Sequence, residues 1–220
     1  MRNSSLVIAG NQYLAEKAKR SGAKRVEKIP TVVDLERYQM KERFSSQNEP
    51  LVIGWIGTFS TFKYVKSLIP VFEKLAEKIP LKLHIIGAKE DLDTFLEIKF
   101  IDWEEHLEAS SIRTFDVGIM PLEDSRWEKG KCGYKLIQYM ASGIPVIASP
   151  VGVNSEIVEN NINGYLAKTV QDWEDKVLYL HENRNLLQIL GAAGRKKVEE
   201  TYSLQVTSNK LLQIVDGFNI

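Results

Sequence analysis

Lys131, Lys135, Gln138 and Ser142 fall at i, i+4, i+7 and i+11 in residues 129–154, KGKCGYKLIQYMASGIPVIASPVGVN. If a helix over 134–142 reaches back to Lys131, all four share one face, and Leu136, Ile137, Met140 and Ala141 form the buried stripe. A polar face of this kind could meet a ligand. The alternative is a solvated helix face. Gly133 precedes the helix and Gly143-Ile144-Pro145 ends it. That sets the polar face near the carboxyl ends of adjacent strands, where open α/β sheets bind ligands. The turn SPVGVNSEI supplies a further helix start, at Asn154, which the pattern places on the same crevice with Gly152 and Val153.

A second anion-binding arrangement is GWIGTFSTFKYVKSL. Gly57 ends a strand, Thr58, Ser60 and Thr61 offer hydroxyls, and Lys63 opens a helix. A cation there opposes the helix dipole unless an anion is shared, the alternative being a solvated first-turn lysine. The spacing is not that of a P-loop, and no G-x-G-x-x-G follows a strand. Asp91-Leu92-Asp93 could hold a metal, but the position after Gly87 favours helix capping, and no ligand spacing surrounds it. No metal or cofactor is expected. The single cysteine, Cys132, excludes an internal disulfide. His84, His106 and His181 sit in unrelated contexts, which disfavours a Cys-His nucleophile set.

These residues need a scaffold, and the hydrophobic pattern describes one. Apolar runs at 51–57, 81–87, 98–103, 116–122, 145–149 and 165–168 read as strands buried on both faces. Helical patterns lie between them, with one apolar stripe through Val65, Leu68, Ile69, Phe72, Leu75, Ala76 and Ile79, and another helix over 104–113. Helices at about 171–182, 185–201 and 204–217 complete the chain. The expected fold class is α/β, a Rossmann-like parallel sheet with helices on both faces. Residues 1–40 differ: a strand at 6–10 with no place in the later sheet, the helix QYLAEKAKRSG and the strand RVEKIP. The polar stretch QMKERFSSQNEP then reads as a linker or surface crossing. A strand isolated at the start suggests a chain that begins inside a larger protein.

The chain has 220 residues, with 29 Lys plus Arg against 29 Asp plus Glu, so no overall field favours nucleic acid. No apolar run reaches membrane-spanning length and no signal-peptide pattern appears, which implies a soluble, cytoplasmic chain.

Taken together, IGWIGTFSTFKYVKSL, DVGIMPL, KCGYKLIQYMASGIPVIASPVGVN, NNINGYLA and IPTVVDLERY resemble the C-terminal domain of retaining GT-B glycosyltransferases of the group 1 family, over nearly the whole chain. The resemblance implies one half of a two-Rossmann-domain enzyme, the half that binds a nucleotide-diphosphate sugar. It divides the chain into 1–40 (interdomain crossing and tail of an N-terminal domain), 41–203 (donor-binding domain) and 204–220 (a helix packing toward that other domain). The family's glycine loop carries an arginine and a lysine on the donor diphosphate; Gly57 and Lys63 match, and Thr58 stands at the arginine position. Its two glutamates, separated by seven residues, correspond to Gly130 and Gln138. Lys135 matches a variant with a lysine before this helix.

The resemblance thus assigns the diphosphate to Gly57, Thr58, Lys63 and Lys135, with Lys131 as a further candidate. It assigns ribose and sugar to Gln138, Gly152, Val153 and Asn154. Trp103 lies where the base is received, or is a packed strand-end aromatic. Transfer with retention would proceed by front-face attack, without a metal, onto a glycan or lipid-linked acceptor. The missing N-terminal domain would be a partner, and the setting cytoplasmic or at the inner face of a membrane. The alternatives are a non-catalytic nucleotide-sugar-binding or scaffold domain, and a nucleotide-sugar epimerase, for which this half offers no paired acid/base set.

Overall fold

The structure is a computed structural model that describes residues 1–217. The chain runs β1 (Val7–Ala9), α1 (Gln12–Arg20), β2 (Val26–Lys28), β3 (Leu51–Ile56), α2 (Phe59–Lys66), α3 (Ile69–Ala76), β4 (Leu81–Ile86), β5 (Ile98–Ile101) and α4 (Glu108–Ile112). It continues β6 (Val117–Met120), α5 (Arg126–Lys129), α6 (Tyr134–Ala141), β7 (Val146–Ala148), α7 (Asn154–Ile157), β8 (Gly164–Leu166), α8 (Val170–Glu182), α9 (Asn185–Lys197) and α10 (Leu204–Asp216). Six strands form one parallel sheet in the order β5-β4-β3-β6-β7-β8. The expected Rossmann-like α/β fold is the fold observed. β1 and β2 pair in parallel as a separate two-stranded sheet joined by α1.

Strand alternation builds two cores, because successive side chains point to opposite faces. Leu51, Ile53 and Trp55 of β3 face α2, α3, α8 and α9, with Phe62, Phe72, Leu75, Trp173 and Val177 in the same cluster. Ile56, Met120, Val146 and Ala148 face the other way, against Leu136, Ile137, Tyr139 and Met140 of α6. On that face Gly54 and Gly118 lie side by side in register. A Cβ on Gly54 would stand 1.9 Å from the Phe115 ring, and one on Gly118 would stand 2.4 Å from the Tyr139 ring. Two aromatic rings, with centroids 5.9 Å apart, therefore sit directly on the sheet where side chains are missing.

The sheet order reverses direction between β3 and β6, and there the ladder covers only Ile53–Val117 and Gly54–Gly118. Beyond it the strands part, and the buried Tyr139 hydroxyl takes over. It accepts from the Ile56 amide at 3.0 Å and donates to the Ile119 carbonyl at 3.4 Å. A buried amide must find an acceptor, so Tyr139 holds open the crevice in which such sheets bind ligands.

Several boundaries differ from the sequence expectations. The single stripe through 65–79 belongs to two helices, α2 and α3, broken at Ser67-Leu68 with Pro70 in the first turn of α3. The helix expected at 104–113 is a 3-10 turn, Glu105–Leu107, followed by α4. The helix of 185–201 ends at Lys197 and passes into a π-turn, Val198–Tyr202. No helix follows Asp91 and Asp93; both are exposed in an irregular loop, so their capping role is not realised.

The polar stretch before β3 is not a loose linker. Asp116, fully buried, accepts from the Ser45 amide at 3.1 Å and the Val52 amide at 3.0 Å, and pairs with Lys41 at 3.1 Å. Lys41 also donates to the Arg113 and Phe115 carbonyls. α10 follows a bridge between Val33 and Ser203; of the expected terminal segment 204–220, residues 218–220 lie outside the described residues. Among the described residues no helix is long and apolar enough to cross a membrane.

Candidate functional site

A cavity of about 520 Å³ opens at the carboxyl ends of β3, β4 and β6, lined by Gly57, Thr58, Trp103, Lys131, Lys135 and Gln138 together with Ile56, Gly87, Glu108, Met120, Cys132, Gly133 and Tyr134. That volume suits a small-molecule ligand. Six of the sequence-selected residues thus meet in one place.

Two helices begin at this cavity. α2 starts after Thr58, whose side chain caps nothing and is hydrogen-bonded to Ser60 Oγ at 3.0 Å. α6 starts after Gly133, at φ +69°, again with no side-chain cap. The first amides of each helix lack intrahelical acceptors, and the dipoles favour negative charge at these ends. Gly133 also explains why α6 does not reach back to Lys131. Its left-handed conformation ends the helix there, and a Cβ would lie 2.3 Å from Ile157. Lys131 therefore joins the site from the preceding loop. Ser142, expected on the same face, is instead the fully buried C-cap of α6.

The lysines carry the electrostatics. Lys135 leans over Gly57, and its Nζ sits 5.6 Å from the centre of the Trp55 ring. Burial pushes its ammonium down to about 8, and Lys131 adds to the effect. Lys131 and Lys63 share the Tyr64 ring, at 4.7 and 4.9 Å from its centre. Lys131 is also lowered by burial, with Glu128 opposing and Lys63 reinforcing the shift. Lys63 stands beside the cavity rather than in its lining. None of the three forms an ion pair among the described residues. The nearest buried carboxylate, Glu128, is occupied by the Tyr64 and Ser125 hydroxyls.

The other end of the cavity is a hydrogen-bonded chain. Gln138, 2% exposed, donates through Nε2 to Tyr38 Oη at 3.1 Å; Tyr38 donates to Glu108 Oε1 at 2.7 Å; and Trp103 Nε1 donates to Glu108 Oε2 at 2.8 Å. Burial is the first cause of the raised pKa of Tyr38, with the bond to Glu108 reinforcing it and that from Gln138 opposing it. Trp103 remains 50% exposed, its Cβ against Gly87.

Gly152, Val153 and Asn154 do not join this site. Gly152 and Val153 line a separate recess with Asn11, Gln12, Lys129 and Glu156. The Asn154 amide group donates to the Ser149 carbonyl at 3.1 Å from a fully buried position. α7 is only four residues long, and Val153, Asn154 and Ile157 pack against Gly133. Sequence reasoning missed Glu108 and Tyr38. Glu108 is one of three glutamates in EEHLE and nothing in its spacing separates it; Tyr38 lies in LERY, 100 residues from its partner Gln138.

A family model, glycosyl transferases group 1, matches residues 50–183. The chain belongs to this family. Among curated relatives, the trehalose synthase of Thermococcus litoralis is 24% identical over 194 residues, covering 80% of this chain and 47% of that enzyme. Among solved structures, Anabaena HepE, crystallised with UDP and glucose, superposes with a TM-score of 0.79 at 15% identity over 97% of this chain and 63% of its own. The C-terminal domain of LpcC, a group 1 glycosyl transferase of Francisella tularensis, is covered completely by 79% of this chain, with TM-score 0.58 and 23% identity. The chain spans about half or less of the length of the curated relatives it matches. Its fold is the Rossmann-like half of the GT-B architecture, the half that forms the C-terminal domain in this family.

Proposed function

We propose that this chain is the donor-binding half of a retaining, metal-independent glycosyltransferase, which moves a sugar from a nucleotide-diphosphate sugar to a glycan or lipid-linked acceptor. The observation that carries this reading is the meeting of Lys63, Lys131 and Lys135, none in an ion pair, beside two uncapped helix N-termini. Cations held together at a cost in mutual repulsion and desolvation are matched by a compact polyanion. As the glycosidic C–O bond to the diphosphate breaks, negative charge grows on the leaving oxygens. Ammonium groups and backbone amides fixed in advance stabilise that charge, the work a divalent cation performs elsewhere. Lys135 is central, since its half-buried position strengthens its interaction with an anion.

The acceptor site and any proton-transfer residue would belong to the N-terminal half, so this chain alone is expected to be inactive in transfer. Thr58 and Gly130, at positions where the family carries an arginine and a glutamate, favour one second reading: a nucleotide-sugar-binding module without transfer. Transfer assays on the whole protein separate the two. The donor-site reading itself is tested by calorimetry of this chain with UDP-, GDP- and ADP-sugars and with inorganic pyrophosphate, in EDTA. Binding of pyrophosphate and of at least one nucleotide sugar is expected. Silence with all of them refutes the donor site.

A further inference from the structure

We propose that Glu108 is the group that recognises the ribose diol in this chain, and that Gln138 is a positioning residue acting on it through Tyr38. The inference rests on the donor-site reading above and names a specificity-determining residue within it. Glu108 lines the same cavity as Lys131 and Lys135, bonded to Trp103, whose Cβ lies against Gly87. It forms no ion pair among the described residues, and each oxygen accepts one bond, from Tyr38 and from Trp103. A carboxylate has about four lone-pair sites, so roughly half of its capacity remains open to the cavity. A fixed, acceptor-only group with two open sites complements two adjacent hydroxyl donors. In a ligand whose diphosphate lies on the lysines, that pair is the vicinal diol one linkage further along.

The same network explains the glutamine. Tyr38 has one proton, and Glu108, being acceptor-only, takes it. The residue on the other side of the Tyr38 oxygen must then be a donor. The Gln138 amide is a donor at 3.1 Å; a glutamate there would face the phenol without a proton to share and would set a second carboxylate across one hydroxyl from Glu108. An amide at 138 and a carboxylate at 108 therefore belong together. The carboxylate of this network stands at the start of α4 and the amide on α6.

The test is calorimetry on the full chain with pyrophosphate, with the nucleoside diphosphate that binds among UDP, GDP and ADP, and with its 2′,3′-dideoxy counterpart. The wild type should hold the ribo form about ten- to a hundredfold tighter than the dideoxy form, the range for hydrogen bonds to a charged group. Glu108→Gln, isosteric and half-exposed, should lose most of that preference while its affinity for pyrophosphate stays the same. Gln138→Glu alone should lose it as well, and the double exchange E108Q/Q138E should recover part of it, since Tyr38 can then donate to position 138 and accept from position 108. A merely structural role for Glu108 would weaken pyrophosphate and both nucleotides alike, and that result overturns the inference. Retention of the full ribose preference in Glu108→Gln overturns it too. If nucleoside diphosphates bind no tighter than pyrophosphate, the diol site is refuted while the lysine site stands. If neither binds, both readings are refuted.

Discussion

Lys135→Met removes an ammonium and keeps a stem of similar length over Trp55 and Gly57. Burial lowers the Lys135 pKa from 10.5 to about 8. At 1.36 kcal/mol per pH unit that difference amounts to about 3 kcal/mol of unfavourable charge burial at neutral pH. Allowing for the contact with the Trp55 ring that is also lost, the variant should be about 1–3 kcal/mol more stable than wild type at pH 7. The sign follows from the depressed value. Below pH 8 the lysine is charged in both states and the penalty is complete. Between about 8 and 10.5 the folded chain releases the proton that the unfolded chain retains, so wild-type stability rises with pH. Above 10.5 the penalty is gone. Urea unfolding of both proteins at pH 7 and at pH 10 measures the gap, which should narrow at the higher pH. The same substitution should weaken pyrophosphate binding at pH 7, and wild-type binding should decline as pH rises through about 8. A variant less stable than wild type at pH 7, or a gap independent of pH, would refute the account of Lys135 as a cation held in place for an anion.

Two further outcomes test the scaffold. Tyr139→Phe should destabilise by about 1–3 kcal/mol in urea unfolding, because the buried Ile56 amide loses its acceptor; it should also weaken pyrophosphate binding, since the strand end carrying Gly57 loosens. Lys41→Met should cost about 3–5 kcal/mol, because it leaves the fully buried Asp116 carboxylate without its cation, and the loss should appear as a lowered urea midpoint.

Much of this molecule is legible in one dimension. Four of the six strands of the large sheet, β3, β4, β6 and β7, are short apolar runs followed within two residues by glycine or proline, and the helices between the strands carry period-3.6 stripes. Those local patterns determine the α/β class because strands buried on both faces must be covered on both faces. The lysine side of the site is nearly as legible, since Lys131 and Lys135 flank a helix start and Lys63 lies one turn into another. What the sequence could not decide is set by contacts between distant segments. Whether α6 reaches Lys131 depends on Gly133 taking a left-handed conformation against Ile157. Whether Asn154 faces the crevice depends on the Ser149 carbonyl claiming its amide. The polar stretch around Lys41 looks like a linker until Asp116, more than 70 residues away, is found to be its anchor. The glutamine at 138 is the clearest case. By itself it is a neutral amide at a position where the resemblance leads one to expect a carboxylate. Tertiary structure sets it on a tyrosine whose single proton is already given to Glu108, a contact between segments 100 residues apart that no local pattern reveals.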